Sequence, residues 1–333
     1  MKAFRMEGPE VAVVAEVPDI AVQAGEALLR VKMVGMCGTD LNTFRGRNAM
    51  VTFPRVPGHE VAAEVVEGGG ALAAGTLVTI SPYTSCGRCA SCKRGRVNAC
   101  QFNETMGVQR DGAMTEYISV PVEKLYAAKL SIKELCLVEP LTVGFHAAAR
   151  GRVSAEDTVA VFGCGGVGLG AIASAAFRGA ETIAIDMDDA KLEIARKAGA
   201  KHLIHSKNED LHERLSAITG GHGPDVMIEA IGLPQTFRAA VEEVAFTGRV
   251  VYIGYAKEPV AYETRLFVQK ELDVMGSRNA LPTDFREVIR MLEAGRFPVE
   301  DAVSAVVPLD EAARMLGEWS AAPGKFTKIM VEI

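Results

Sequence analysis

At 333 residues the chain is long for a single core and suits two domains; 49% hydrophobic and 23% charged residues describe an ordinary soluble globular protein. A net charge of −6 offers no attraction to nucleic acid or an anionic membrane, so small-molecule chemistry is the expectation. Seven cysteines without an extracellular context argue against a disulfide framework.

From the amino terminus, Met1-Lys2-Ala3-Phe4-Arg5 leads into a short alternating pattern with no apolar run behind it. No secretory signal is expected, and the cytoplasm is the expected location. The first 145 residues are rich in short strands, at 27–36, 61–67 and 77–80, broken by Gly and Pro. That predicts a β-rich, barrel-like domain.

Residues 158–177 then carry no charge, a length that raises the question of a membrane helix. Glycines at 163, 165, 166, 168 and 170 and the opening Val-Ala-Val-Phe instead predict a buried strand, a tight turn and a helix. Apolar strands read at 159–163, 182–186, 202–205, 225–230, 249–254 and 272–276, with helical stretches at 188–198, 208–219 and 234–245 between them. Strands alternating with helices predict a parallel, doubly wound sheet, and six strands is the count of a dinucleotide-binding Rossmann sheet. Beyond Gly276 come helices at 283–294 and 310–319 and a closing strand at 326–332. The six-stranded sheet is already complete, so the tail is assigned to the first domain. The chain thus reads as an α/β protein in which a Rossmann unit, 149–276, is inserted into a β-rich domain formed by 1–148 and 277–333.

Gly163-Cys-Gly-Gly-Val-Gly168 fits G-x-G-x-x-G between a strand and a helix. Gly163 permits the tight turn, Gly165 admits a pyrophosphate to the backbone, and Gly168 lets helix and strand pack closely. Gly166 and Val167 open the helix, whose free N–H groups face the phosphates. Asp186, 18 residues beyond Gly168, ends the second strand, where an acid holds a ribose 2′-hydroxyl and repels the 2′-phosphate of NADP. NAD is therefore the expected cofactor; the competing role for Asp186 is a helix cap. Lys191 lies either near the adenosine ribose or on a solvated helix face. Ile231, Ile253, Gly276 and Ser277 close the later strand ends, on the nicotinamide side, where their alternative role is core and turn.

Cys86-x2-Cys89-x2-Cys92-x7-Cys100 supplies four thiolates, a set that suits a closed tetrahedral structural zinc in an exposed lobe, 86–100. Arg88, Lys93, Arg94 and Arg96 partly offset its charge; a redox or iron–sulfur role is the alternative. Cys37, His59 and Glu139 form a sparser set. Singly, each has an ordinary reading as a buried cysteine, a loop histidine or a paired glutamate. Together they meet the needs of a catalytic zinc, which takes about three protein ligands and one exchangeable position.

Cys37-Gly-Thr-Asp40, Gly58-His-Glu60, the four-cysteine lobe, Glu139-Pro-Leu-Thr-Val-Gly144 and Gly163–Gly168, in this order, resemble the medium-chain zinc-dependent alcohol dehydrogenases over essentially the whole chain. Glu139, where simple alcohol dehydrogenases carry a cysteine, is similar to the polyol and sugar dehydrogenase branch. Ile80-Ser-Pro-Tyr83, Gly107-Val108, Tyr117–Pro121 and Met275-Gly-Ser-Arg-Asn-Ala280 followed by Asp284-Phe285 resemble the bacterial L-galactonate and L-gulonate 5-dehydrogenases, which oxidise a secondary hydroxyl of a sugar acid.

The resemblance implies a GroES-like catalytic domain, two zinc ions per chain, and Cys37, His59 and either Glu60 or Glu139 around the catalytic one. It implies that Thr39 starts a proton relay; the relay's usual histidine is replaced here by Asn42, which cannot titrate. It implies a small alcohol or ketone as partner and a homodimer or homotetramer. Arg278 is a candidate carboxylate clamp, its planar fork suiting bidentate anion binding, with a surface or phosphate-binding role as the alternative. A zinc-free NADPH-linked reductase or a non-enzymatic NAD-binding protein on the same scaffold would have no use for the complete zinc set.

Overall fold

The computed structural model describes all 333 residues. They divide into two compact units, Met1–Glu139 with Val299–Ile333, and Pro140–Pro298.

The second unit is the doubly wound sheet. Its strands are parallel and lie in the order His202–His205, Glu181–Asp186, Thr158–Phe162, Val226–Glu229, Arg249–Tyr252, Asp273–Gly276. The four residues after Thr158 in the first of these strands are all buried, as a parallel strand covered on both faces requires. Ala160, Phe162, Ile183, Ile185, Ile204, Met227 and Val250 share one core with Leu215 and Val241 of the covering helices. Strand order reverses between Thr158–Phe162 and Val226–Glu229, which opens a crevice at their carboxyl ends. The uncharged stretch 158–177 resolves into that strand, a turn and the helix Gly166–Phe177, and no helix of the chain is long and apolar enough to cross a membrane.

The first unit is built on a seven-stranded sheet, in the order Ala305–Pro308, Ile329–Glu332, Glu26–Met36, Glu60–Glu67, Leu77–Ile80, Leu125–Ala127, with Tyr117–Pro121 also paired to Glu26–Met36. A separate hairpin joins Lys2–Gly8 to Val11–Glu16. Phe4, Met6, Leu29, Val61, Ile80, Met114 and Trp319 are among the side chains of its core. The closing strand Ile329–Glu332 runs antiparallel to Glu26–Met36, so both ends of the chain build this sheet.

The unit boundaries fall nine residues earlier (139 against 148) and 22 later (298 against 276) than composition places them. The physical reason lies in two helices. Ile132–Arg150 runs unbroken through the first boundary. Pro282–Glu293 belongs with the second unit, where Asp284 pairs with the buried His146 at 2.9 Å.

Candidate functional site

In the lobe, the ligand atoms of Cys86, Cys89, Cys92 and Cys100 all lie within 4.8 Å of one another. Cys89 Sγ is 3.4 Å from Cys92 Sγ and 3.9 Å from Cys100 Sγ, close to the roughly 3.8 Å between sulfurs that sit about 2.3 Å from a tetrahedral zinc. Backbone amides of Cys86 and Phe102 donate to Cys100 Sγ, and that of Cys89 to Cys86 Sγ, each at 3.3 Å. The Ser91 hydroxyl and nearby amides pull the Cys89 thiol down to about 5, while burial and neighbouring thiols push Cys92 up to about 11. Four thiolates at this spacing need a cation to coexist, and the donor set fits zinc. None of residues 86–100 joins the first unit's apolar core.

The first unit also assembles the sparser set. The helix Gly38–Phe44 begins at Cys37, where Asp40 Oδ2 accepts the Cys37 amide at 2.9 Å. His59 and Glu60 stand at the start of Glu60–Glu67, and Glu139 lies within Ile132–Arg150. Ligand atoms of Cys37, His59 and Glu60 fall within 4.8 Å of one another. Glu139 lies outside that trio, and the Tyr83 hydroxyl donates to its Oε1. Thr39 Oγ1 is 3.7 Å from Cys37 Sγ.

Asp40, His59, Glu60 and Glu139 are all buried. Burial raises the Glu139 carboxyl above the usual carboxylate range and raises Asp40 likewise. Burial also drives the Tyr83 phenol well up, reinforced by Glu139. Desolvation pulls the His59 ring down, but Cys37, Asp40 and Glu139 outweigh it and hold His59 well above its ordinary value. His59 Nδ1 is buried without a hydrogen-bond partner. An orphaned ring nitrogen among crowded acids and a thiol is the setting a divalent cation completes. Lys328, Tyr83 and Asp40 are the pocket residues that sequence reasoning did not assign.

In the second unit the glycine loop forms a tight turn between Thr158–Phe162 and the helix Gly166–Phe177. Gly163 takes φ +94°, a conformation that favours glycine, and a β-carbon at Gly168 would overlap the Gly163 carbonyl oxygen. Gly165 caps the helix and has open space where its β-carbon would stand. Asp186 ends its strand, accepting the Cys164 amide on Oδ2 and the Met187 amide on Oδ1, each at 2.7 Å. The cap of Asp189–Lys197 is Asp188, not Asp186: its Oδ1 accepts from Ala190 and Lys191 amides at 2.9 and 3.2 Å. Lys191 is half-buried. Ile231 is 43% exposed just beyond Val226–Glu229, and Ile253 follows Arg249–Tyr252. Ser277 is buried with its hydroxyl unpartnered, next to Gly276, while Arg278 is exposed.

Residues 23–130 match the family model described as alcohol dehydrogenase GroES-like domain, and 166–294 match zinc-binding dehydrogenase. The chain is 34% identical over 279 residues to an L-galactonate-5-dehydrogenase of Escherichia coli K12, covering 83% of this chain and 82% of that one. An alcohol dehydrogenase from E. coli CFT073, solved complexed with NADH, superposes with a TM-score of 0.92 at 27% identity, covering 100% and 99% of the two chains. A zinc-binding dehydrogenase from Sinorhizobium meliloti 1021, solved bound to NADP, superposes with 0.91 at 29% identity, covering 100% and 99%.

Proposed function

The chain belongs to the medium-chain zinc-dependent alcohol dehydrogenases, in the polyol and sugar-acid branch, and within that family we propose that it oxidises a secondary hydroxyl of a sugar acid to a ketone with NAD. The observation that carries the reaction is the pocket of Cys37, His59, Glu60 and Glu139, buried, crowded with acids and holding an unpartnered His59 Nδ1. When bound, zinc lowers the pKa of a hydroxyl it holds and a nicotinamide accepts the hydride.

The residues then divide the work. Cys37 and His59, with Glu60 or Glu139, hold the catalytic metal; Cys86, Cys89, Cys92 and Cys100 hold the structural one. Thr39, beside Cys37, receives the substrate proton and passes it on. Asn42 is exposed and cannot titrate, so the proton leaves through water or cofactor hydroxyls. Asp186 favours NAD, because its carboxylate suits the ribose hydroxyls and repels a 2′-phosphate. Gly165 to Gly168 admit the pyrophosphate to the helix amides, and Lys191, Ile231, Ile253, Gly276 and Ser277 line the dinucleotide. Arg278 receives the substrate carboxylate. Association as a homodimer or homotetramer belongs to the same reading.

A screen of NAD reduction over sugar acids, polyols and simple alcohols tests it, run on the wild type with metal analysis and on Arg278→Ala. Sugar acids are expected to react best, with two zincs per chain, and Arg278→Ala to raise KM for the acid far more than for its polyol. Reaction with small primary alcohols alone overturns the substrate; equal KM effects remove the clamp.

A further inference from the structure

Beneath the crevice of the second unit lies one buried acid that the reading above leaves without a role. Val226–Glu229 is buried along its whole length, as a central parallel strand must be, and yet it ends on a carboxylate that is 0% exposed. Glu229 Oε1 accepts from the Ile231 amide at 2.9 Å, the Gly232 amide at 2.8 Å and the Thr236 hydroxyl at 2.7 Å. Its main-chain carbonyl accepts from the amides of Ile253 and Gly254, at 2.9 and 3.1 Å, in the turn that follows the neighbouring strand Arg249–Tyr252. The two turns close on each other through glycines. A β-carbon at Gly254 would stand 2.4 Å from Glu229 Oε2 and 2.5 Å from the Gly232 nitrogen. Glu229 Oε2 itself is buried with no hydrogen-bond partner, and no cation is among the partners of the carboxylate.

A carboxylate without a cation in a sheet interior costs free energy, and three donors on one oxygen offset only part of it. Its field is weakly screened there, so it reaches further than a surface charge does. The turns it braces carry Ile231 and Ile253, which the proposed function sets along the nicotinamide half of the dinucleotide. That half changes charge in the reaction: the oxidised ring carries one positive charge, and the arriving hydride removes it. We infer that the buried charge of Glu229 is matched to the oxidised nicotinamide and tightens NAD relative to NADH. The inference rests on the reading that Ile231 and Ile253 line the cofactor. Asp186 does not duplicate this action. It ends a strand on the other side of Thr158–Phe162, where the same reading places the adenosine that both forms share.

The test measures the dissociation constants of NAD and NADH on the full-length chain by calorimetric titration, with circular dichroism reporting the fold. Adenosine and pyrophosphate are common to both forms, so the ratio of the two constants isolates the nicotinamide end. A wild-type chain that binds neither form overturns the cofactor reading itself, and the inference with it. Where both bind, Glu229→Gln keeps the size of the side chain and one oxygen for the three donors while removing the charge. It is expected to weaken NAD by about 10-fold relative to NADH, an effect within reach of a unit charge acting through a protein interior. That ratio is equivalent to raising the midpoint potential of the bound couple by about 30 mV. Equal losses in both forms would mean that Glu229 only shapes the turns, and they overturn the inference, as does an unchanged pair of constants. Should Glu229→Gln fail to fold, Glu229→Asp decides. It keeps the charge but withdraws it from the donors by one methylene, so both forms are expected to weaken alike. A tenfold loss confined to NAD overturns the inference there.

Discussion

On the proposed function, the cofactor preference rests on one carboxylate, that of Asp186. Its oxygens already brace the Cys164 and Met187 amides, and each retains a lone pair for a hydroxyl donor. Hydrogen bonds to a charged group contribute about 1.5–3 kcal/mol each, so Asp186→Ser is expected to weaken NAD by roughly 10- to 100-fold while weakening NADP far less. Titration of protein fluorescence with both cofactors checks this, and parallel losses would remove the ribose role. Its place at the end of Glu181–Asp186 was legible because spacing from the glycine loop located it. The lobe cysteines were legible because fifteen residues contain the whole chelate. The pocket around Glu60 was not. Lys328 reads as one more surface lysine near the carboxyl end, and Gly35 as a weak point in a strand, until strand register brings both against the same carboxylate. Non-local pairing of that kind leaves no periodic mark on the sequence.

At the scale of elements, the loop and helix from Gly163 to Phe177 separate two uses of glycine. Gly168 sits where a β-carbon would overlap backbone, whereas Gly165 faces open space at φ −75°, a conformation any residue adopts. Gly168→Ala is expected to destabilise the fold by about 1–3 kcal/mol, the usual cost of overpacking. Gly165→Ala is expected to leave the melting temperature nearly unchanged and yet weaken NADH binding, because its methyl group would occupy the space left for phosphate. Thermal melts beside NADH titrations distinguish the two, and a Gly165→Ala protein that binds NADH normally would place the pyrophosphate elsewhere. The strands of this unit were readable to within a residue or two, since parallel strands buried on both faces appear as short apolar runs. The helix Ile132–Arg150 escaped the reading altogether. It carries Pro140 in its interior, a residue that marks a break, and its latter half is buried nearly all round, so no amphipathic period announces it. Glu139 therefore entered as part of a motif with no element to place it.

For the whole molecule, what matters is which parts of the chain each unit needs. Pro140–Pro298 is continuous and has its own apolar core. The first unit needs both ends, because Ile329–Glu332 lies between Ala305–Pro308 and Glu26–Met36 in the sheet. Removing residues 326–333 would strip a hydrogen-bonded neighbour from Glu26–Met36, uncover the apolar side chains packed against Ile329 and Val331, and delete Lys328 from Glu60. Every candidate metal ligand lies in that unit, while every residue of the glycine loop and Asp186 lies in the other. Truncation after Lys325 is accordingly expected to lose the catalytic zinc and most of the first unit's resistance to proteolysis, while NADH binding survives within about tenfold, a difference of about 1.4 kcal/mol. Zinc content, protease mapping and NADH fluorescence on the truncated chain measure the three together. Simultaneous collapse of metal and NADH binding would show that the second unit cannot hold its fold without the first, and would move the division of labour from the two sheets to the chain as a whole.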